Sequence, residues 1–565
     1  MPSNNRSVTP SEGGGNGKSG SRAASNRRIA GASGMMMAAV LISRILGLVR
    51  DRVIAMKFGQ GPDTDAYNAA FTVPDLLSYV IAGGAISSAV IPVFTEYIHA
   101  GKHRQAWRIF SVVTIVTTWS VSAFIVIGEL FAWYLVAKLN PGYKFAPNIP
   151  RTVFLTRILL PAQICFFLGG LMMGVLQTKD VFFGQAIGPI IYNLGIIFGG
   201  TVLFRFGPAD NKIAVLCWGA LIGAFLGNIV IQWALIRRVG GYFVAKSLRV
   251  LLADKDVKNG SKQVWIMMLP ILLGVALPQI AAITNKYFAS YLTGGAQSAL
   301  MNANRMMQVP LGVFAQATAI AIFPTMAAQY AQRDIAALRS TTNYGLRFIF
   351  FMTVPASALM IVLSLPIVQL LLQSGKYTEI NARDAAAALQ YYSIGIFAWS
   401  GHSILARAFY SVKNTKVPVI VGTIATLMFV PMNRPLMEIL GFRGLALATT
   451  IASALNMFAL LILIRVRLRG IEGGKLLTSV TKTLIASLAA AAASRFIYRA
   501  IWSHMNHETH VFSHALFILA VCLGAGTAIY LGACSAMRMD EMSSLMRLMD
   551  RMRAKVRGRG APAAP

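Results

Sequence analysis

The sequence predicts an all-α polytopic membrane protein with about fourteen transmembrane helices. Of its 565 residues, 56% are hydrophobic and only 13% are charged, whereas soluble domains contain about 25% charged residues. Mostly apolar runs recur along the chain, each long enough for the roughly 20-residue helix that crosses a bilayer. Ten-residue strands of alternating polarity do not occur, so helices must satisfy the backbone in lipid.

Fourteen such segments can be counted, with ends that are soft by several residues. They are 30–56, 66–98, 107–135, 153–175, 182–204, 213–236, 263–292, 297–330, 343–373, 385–411, 417–440, 444–464, 478–500 and 512–536.

The basic residues predict the orientation of these helices. The chain has 52 Lys and Arg against 20 Asp and Glu, a net charge of +32. That excess would suit nucleic acid, but the apolar composition indicates a membrane instead, where cytoplasmic loops carry the Lys and Arg. With the N-terminus inside, 33 of the 52 fall in cytoplasmic tails and loops and 12 fall outside. Both termini are therefore predicted to be cytoplasmic, with no nucleic-acid partner.

An internal repeat divides the membrane part into two lobes. Asn228 to Arg237 (NIVIQWALIR) resembles Asn456 to Arg465 (NMFALLILIR), and Pro92 and Pro324 occupy matching positions in a second pair of segments. Six helices separate each pair, so the copies share one orientation, an arrangement that permits alternating access. The predicted units are a disordered basic cytoplasmic tail (1–29), an N-lobe with helices 1 to 6 (30–240), a C-lobe with helices 7 to 12 (241–470), helices 13 and 14 (471–536) and a basic cytoplasmic tail (537–565).

The two tails have different compositions. Residues 1–29 are rich in Gly, Ser and Asn without an apolar core, so they are not interpreted as a cleaved signal peptide. Residues 537–560 fit either an amphipathic helix on the anionic cytoplasmic leaflet or a solvated charged tail.

Three of the arginines within predicted transmembrane helices are candidates for a functional site, namely Arg44, Arg50 and Arg305. A cation at mid-bilayer costs about 2.5–3.5 kcal/mol and by default indicates a functional site. Arg44 and Arg50 belong to helix 1, about 120° apart, so both can line one broad cavity, and Arg305 belongs to helix 8 of the other lobe. Convergent guanidinium groups favour an anionic, phosphate-bearing substrate. Alternatively, Arg50 extends to the interface or pairs with Asp51 as an orientation anchor.

Other residues of the apolar segments leave two interpretations open. Arg52 and Arg407 lie where their side chains can reach the membrane surface, and Lys286 remains unassigned. In helix 2, Gly83 and Gly84 permit either a bend or close packing against another helix.

The sequence predicts no cofactor, no metal site and no enzymatic chemistry. Walker, dinucleotide-binding and nucleophile-elbow motifs do not occur. The four cysteines lie in apolar helices without paired spacing and are interpreted as packing residues. His504, His507, His510 and His514 crowd one loop, but the string HETH differs from the zinc motif HExxH, and a solvated polar loop is favoured.

A family resemblance begins at residues 43–77, SRILGLVRDRVIAMKFGQGPDTDAYNAAFTVPDLL. This stretch resembles the opening of the MurJ/MviN family, the lipid II flippases of bacterial peptidoglycan synthesis. The resemblance continues through GGAISSAVIPVFTEY, NRMMQVPLGVF and GLALATTIASALN, over about residues 35–535. It implies the multidrug/oligosaccharidyl-lipid/polysaccharide exporter fold, with a cationic central cavity and a lipid-tail groove at helices 13 and 14. It also implies residence in the bacterial inner membrane.

The resemblance assigns expected roles residue by residue. Arg44, Arg50 and Arg305 match the family's cavity arginines, which would hold the substrate's diphosphate, and Asp65 matches an acid of helix 2. Ser43 and Asp51 complete the expected cavity and gating residues of helix 1.

Three positions depart from the family pattern. Ser78 stands where many members have an arginine, Gly83 replaces a glutamate, and Gln308 replaces an acid after the helix 8 arginine. Together with Gly84, these positions are expected to line or gate the cavity. Relative to the family pattern, one cation and two carboxylates are lost from the cavity.

Candidate cation ligands also follow from the resemblance, because sodium-binding members use helices 7, 11 and 12. The matching positions are Asn285, Asn433, Met437, Thr449 and Ser453. None is acidic, and a hard cation bound only by neutral oxygens is held weakly. We therefore expect membrane potential or a proton, rather than sodium, to drive transport.

The expected function is that of a transporter for lipid II, the undecaprenyl-diphosphate-linked peptidoglycan precursor, working by alternating access in contact with membrane lipids and with the cell-wall synthesis machinery. One alternative is export of another polyprenyl-diphosphate-linked glycan or of a drug, although cationic drugs would need more cavity acids. A further alternative is a non-transporting membrane scaffold whose basic tails bind partners.

Overall fold

All fourteen predicted segments are helical over the residues that the computed structural model describes. It describes residues 39–543 and 546, apart from 82–84, 146–147, 180, 182, 293 and 504–510, and no β-strand occurs among them. The all-α prediction is therefore confirmed. Most of the predicted basic tails, 1–29 and 537–565, lies outside the described residues, as do His504, His507 and His510.

The helices are labelled α1 to α14 after the predicted segments, and several are interrupted. Their bounds are α1 (39–58), α2 (Pro62–Ala70, Thr72–Ile81 and Ala85–His99), α3 (His103–Leu130 and Ala132–Leu139), α4 (Asn148–Leu159 and Ala162–Gln177), α5 (Phe183–Thr201), α6 (Ala214–Phe225, Leu226–Val230 and Ile231–Arg238), α7 (Lys255–Ala289), α8 (Ala296–Pro310, Leu311–Gln316 and Ala317–Ala331), α9 (Ile335–Val362 and Ser364–Leu372), α10 (Glu379–Ile394 and Ile396–Ser411), α11 (Lys416–Leu440), α12 (Phe442–Arg467), α13 (Gly473–Trp502) and α14 (Val511–Ala536). A short helix, Leu248–Leu252, precedes α7, and 3₁₀ turns lie at Pro141–Phe145, Leu203–Arg205 and Ala209–Asn211.

Length and composition alone identify 10 described helices that can cross a membrane. They are α3, α4, α5, α6, α8, α9 and α11 to α14. The remaining four segments are helical but fall outside this set, so the count of fourteen crossings stays a prediction.

Helix α8 changes geometry at Pro310. Its first part ends at Pro310, which has no N–H to donate, and the next residues, Leu311–Gln316, form a π-helical turn. Such turns widen a helix locally and recur at functional sites. The π-helical turn lies within two turns of Arg305 and contains Gly312, which lies next to Arg44 of α1.

Two large buried clusters form the cores of the two halves. One contains Phe94, Trp107 and Phe110 of α2 and α3 together with Val264 of α7. The other contains residues of α8, α9, α10 and α12, such as Phe409. Helix α7 therefore begins packed on the first half, although the repeat assigns it to the second lobe. The exact boundaries at 240 and 470 stay predictions.

The last two helices pack against α9. Tyr530 of α14 donates a hydrogen bond to the carbonyl of Phe351 (2.6 Å), and Ser494 of α13 donates one to the carbonyl of Cys522 (3.0 Å). All four cysteines are buried and free.

The chain after α14 begins with a docked segment, residues 537–543. Glu541, only 2% exposed, accepts hydrogen bonds from Arg347 Nε (2.5 Å) and Ser479 Oγ (2.8 Å). Lys482 donates to the carbonyl of Met537 (2.9 Å). These contacts fix the start of the C-terminal tail to α9 and α13.

Replacement of Glu541 by glutamine is expected to release this segment. Loss of charge-assisted hydrogen bonds worth about 1.5–3 kcal/mol raises the fraction of molecules with residues 537–543 undocked about tenfold or more. Limited proteolysis of the C-terminus would detect this increase. Asp540→Asn is the control. Asp540 also pairs with Arg347, and that hydrogen bond lowers the pKa of Asp540. Because the Asp540 side chain is 84% exposed, solvent screens this ion pair, and we expect little effect of the control substitution. Equal proteolysis of Glu541→Gln and wild type would contradict the assigned role.

Candidate substrate cavity

Asp51 of α1 is the centre of a charged cluster between the two halves. A single carboxylate oxygen, Oδ1, accepts hydrogen bonds from Arg50 Nε (3.0 Å) and Nη2 (2.8 Å) and from Arg305 Nη1 (2.6 Å). Arg305 lies on α8, so this carboxylate joins α1 to α8. The sequence left open whether Arg50 pairs with Asp51, and the structure places the two in contact.

A further polar residue of the cluster is Asn193 of α5, which the sequence patterns did not predict. Its Oδ1 accepts a hydrogen bond from Arg50 Nη1 (2.9 Å), and its Nδ2 approaches the carbonyl and the hydroxyl of Ser43, each at 3.4 Å. Asn193 thereby holds two of the predicted cavity residues of α1 in position. An amide in the middle of the apolar segment was the available sequence signal.

Arg44 lies against the backbone of α8. A methyl group built on Gly312 would meet the Arg44 guanidinium, at 2.5 Å from Cζ and 2.8 Å from Nη2. The absence of a side chain at Gly312 therefore creates the space that the guanidinium occupies. In this way Arg44, Arg50 and Arg305, which come from both halves, all lie along the contact between α1 and α8.

Substitution of Gly312 by alanine is expected to displace Arg44 without unfolding the protein, because the obstructed group is the end of a flexible side chain. Weakening one charge-assisted contact predicts about a tenfold loss of transport at normal abundance. Gly47→Ala in α1 is the matched control, since a methyl there meets no atom within 4 Å. Equal transport by both variants would contradict this interpretation. The abundance of each variant in the inner membrane is measured in parallel.

A cavity of about 270 Å³ opens beside Arg305. Asn304 and Gln308 of α8 line it, and the Gln308 amide donates to Asn304 Oδ1 (2.7 Å). Lys286 of α7 lines the same cavity, and its Nζ lies 3.6 Å from Asp75 Oδ2 of α2. The predicted residue Gln308 thus lies one turn from the charged cluster.

Asp65 lies at the end of the bundle where α1 ends and α8 begins. It is 3% exposed and accepts hydrogen bonds from the backbone of Gly295 (2.6 Å) and Ser298 (2.8 Å) and from Ser298 Oγ (2.6 Å). A carboxylate at a helix N-terminus satisfies unpaired N–H groups and suits the helix dipole. Asp65 therefore joins α2 to α8 and does not line the 270 Å³ cavity.

The same end carries other contacts between the halves, so we call it the closed end. Hydrogen bonds join Lys376 N to Met56 O (3.0 Å), Tyr377 Oη to Gln60 Oε1 (2.8 Å) and Tyr143 Oη to Gln297 Oε1 (2.6 Å). Arg52, predicted to reach the membrane surface, donates to the carbonyl of Leu370 (2.6 Å) and stacks on the Phe512 ring (4.9 Å).

The candidate cation ligands are only partly brought together. Asn285 donates to Thr449 Oγ1 (3.2 Å), joining α7 to α12. Asn433 is buried and donates to the carbonyl of Phe429 (2.7 Å), while Ser453 lines a separate cavity of about 380 Å³. Within the described ranges, no three His, Cys, Asp or Glu side chains cluster as metal ligands.

Three predicted cavity residues cannot be placed. Gly83 and Gly84 lie outside the described residues, and so does the side chain of Ser78, although its backbone is in α2.

Helices long and apolar enough to cross a membrane, together with arginines at the contact between two halves, indicate a class: a multi-pass membrane transporter. A solved structure, described as lipid II flippase MurJ in an inward closed conformation, matches with a TM-score of 0.73 at 23% identity, covering 89% of this chain and 99% of that chain. An inward-facing multidrug resistance MATE family transporter of the MOP superfamily matches with a TM-score of 0.61 at 13% identity, covering 78% and 99%. At these sequence identities, the structural similarity establishes the fold of this chain.

Sequence comparison identifies the family. The family model for lipid II flippase MurJ matches residues 54–519. A probable lipid II flippase MurJ of Vibrio cholerae serotype O1 is 30% identical over 477 residues, 82% of this chain and 87% of that protein. Another, of Rhizobium meliloti (strain 1021), is 29% identical over 466 residues, 80% and 84% of the respective chains. The chain therefore belongs to the lipid II flippase MurJ family, which confirms the resemblance noted in the sequence.

Membership in this family makes the chain a transporter rather than an enzyme. Together with its apolar helices, it makes the chain a multi-pass protein of the bacterial inner membrane.

Proposed function

We propose that the protein carries lipid II from the inner to the outer leaflet by alternating access, with the diphosphate held by Arg44, Arg50 and Arg305. One observation carries the proposal: guanidinium groups from both halves lie along the contact between α1 and α8, where Arg50 and Arg305 both contact the Asp51 carboxylate and Arg44 lies against Gly312. Guanidinium forks pair with phosphate oxygens two at a time. The net charge of these four groups, +2, complements a diphosphate diester, which carries about two negative charges.

The distribution of basic residues supports an orientation with both termini in the cytoplasm. In that orientation the closed end, with Asp65, faces the periplasm. Rocking of the halves would open this end and release the substrate. A membrane potential of 100 mV supplies about 2.3 kcal/mol per charge moved, and membrane potential or a proton stays the proposed driving force.

Helices α13 and α14 offer a surface for the long lipid tail. Leu477, Leu488, Phe496, Phe512 and Phe517 are all about half-exposed or more, and apolar side chains on these two helices would face either bilayer lipid or the polyprenyl chain. Contacts with the cell-wall synthesis machinery remain a prediction from the sequence.

A different polyprenyl-diphosphate-linked glycan is the second candidate cargo, because the charged groups described above recognise a diphosphate and not a particular sugar. The excess of cations over acids speaks against cationic drugs.

The test is an assay of lipid II accessibility from the periplasm in cells that have this protein as their sole flippase. Wild-type protein should expose lipid II to an external modifying enzyme, whereas Arg44→Ala should not. Arg434→Gln is the control and should behave as wild type, because Arg434 is 77% exposed and pairs with Glu438 on its own helix. Wild-type levels of accessible lipid II with Arg44→Ala would refute the proposed diphosphate site. No accessible lipid II with wild-type protein would refute the cargo.

A further inference from the structure

Lys286 is a buried cation whose surroundings differ from those of the arginines. Its side chain is 13% exposed and lines the 270 Å³ cavity together with Arg305. Its nearest acid is Asp75, whose side chain is 41% exposed. A buried cation within a membrane helix is costly and indicates a function that offsets the cost.

The contact between Lys286 and Asp75 is loose. Nζ and Oδ2 are 3.6 Å apart, whereas charge-assisted hydrogen bonds measure about 2.7–2.9 Å. Arg305 and Asp51, by contrast, lie 2.6 Å apart in the same region. A lysine has a flexible stem and a compact charge that can turn to a new partner. The ion pair is therefore suited to exchange rather than to permanent structure.

The charge balance around the cavity favours a contact between Lys286 and the substrate. Asp75 would lower the net charge around the cavity from +2, for three arginines and Asp51, to +1. Lys286 restores +2, the charge that matches a diphosphate diester. An unpaired Asp75 carboxylate at the edge of the cavity would repel that substrate.

The position of α7 adds a mechanical consequence. At the start of α7, Lys102 and Tyr97 of the first half contact Asp256, at 2.7 Å to its carboxylate and 2.8 Å to its carbonyl. Near its other end, Lys286 meets α2 through Asp75, while Asn285 meets α12 through Thr449. Movement of Lys286 away from Asp75 would loosen α7 from α2 at the end that also contacts the second half.

We propose that Lys286 is a further ligand of the substrate diphosphate, held by Asp75 in the empty cavity and transferred to the phosphate oxygens when substrate enters. The inference rests on the proposed function, because it assigns this residue to the same cavity. Asp75 then competes with the substrate for Lys286, which weakens substrate binding enough for release. Because Asp75 lies on α2 and Lys286 on α7, substrate binding also changes the contact between these two helices.

The test compares binding of undecaprenyl diphosphate by purified full-length wild type, Asp75→Asn, Lys286→Gln and the double variant. Uncharged undecaprenol serves as the reference for tail binding. We expect Asp75→Asn to bind about threefold to tenfold more tightly, Lys286→Gln about tenfold more weakly, and the double variant about tenfold more weakly than Asp75→Asn. The double variant contains no unpaired charge, so it keeps the test valid if Lys286→Gln alone folds poorly. Lys416→Gln, an exposed lysine at the start of α11, is the charge-matched control.

The outcomes separate the inference from the proposed function. Equal affinity of Asp75→Asn and the double variant, with weak binding by Arg305→Ala, would show that Lys286 only neutralises Asp75 and would overturn the inference alone. Wild-type affinity of both Arg305→Ala and Lys286→Gln would overturn the proposed diphosphate site and the inference with it.

Discussion

Replacement of Arg305 by alanine is expected to abolish lipid II transport, with a loss of at least about one hundredfold. The substitution removes the cation that α8 contributes to the cavity and the 2.6 Å ion pair that joins α8 to Asp51. A charge-assisted interaction of about 3 kcal/mol corresponds to this factor. The measurement is growth, together with periplasmic lipid II accessibility, in cells depleted of their own flippase.

The fold should survive this substitution, because Asp51 keeps two hydrogen bonds from Arg50. Arg305→Lys tests the geometry: it retains the charge but loses the planar fork, so we expect partial transport. Full growth of the Arg305→Ala strain at normal protein abundance would exclude Arg305 from the substrate site.

Substitution of Asp65 by alanine should open the closed end. Three hydrogen bonds to this carboxylate are lost, and the N–H groups of Gly295 and Ser298 lose their partners. Each such bond contributes about 1.5–3 kcal/mol, so the equilibrium between closed and open forms shifts by at least about one hundredfold. In the proposed orientation the open form faces the periplasm.

A cysteine introduced at Asn302 reports this opening, because Asn302 lies beside Ser298 and Arg305 under the closed end. The four native cysteines are buried, so an external membrane-impermeant maleimide should label chiefly the new thiol, and faster in Asp65→Ala. Asp63→Asn is the matched control: Asp63 is half-exposed and pairs with Arg151 within the first half. Equal labelling of the Asp65 and Asp63 variants would contradict a latch at Asp65.

Local sequence patterns predict the elements of this protein well. Apolar runs locate helical segments at all fourteen predicted positions, and ten of the described helices are long and apolar enough to cross a membrane. Such runs are informative because burial in lipid requires length and composition, both of which are local properties. Pro310 marks the change of geometry in α8 because a missing N–H acts on its own helix. The breaks of α9 at Leu363 and α10 at Gly395 are not predicted, since each helix continues its apolar pattern across them.

The partners of the charged residues are not predictable from such patterns. Arg305 lies 254 residues from Asp51, and Asp65 lies 233 residues from Ser298. Nothing in the periodicity of α1 indicates that one carboxylate oxygen serves two arginines, or that Asp65 meets the N-terminus of α8 instead of lining the cavity. Asn193 was missed for the same reason.

The sequence by itself determines that the chain is a helical membrane protein of the lipid II flippase MurJ family with cations inside its apolar segments. Hydropathy, charge and sequence motifs depend only on the order of residues. Only the tertiary structure decides which of those cations are paired, which face a cavity and which end of the bundle is closed. These properties depend on distances between helices far apart in sequence, and packing sets those distances. Lys286 illustrates the difference: unassigned in the sequence, it becomes a candidate ligand once Asp75 and Arg305 are found beside it.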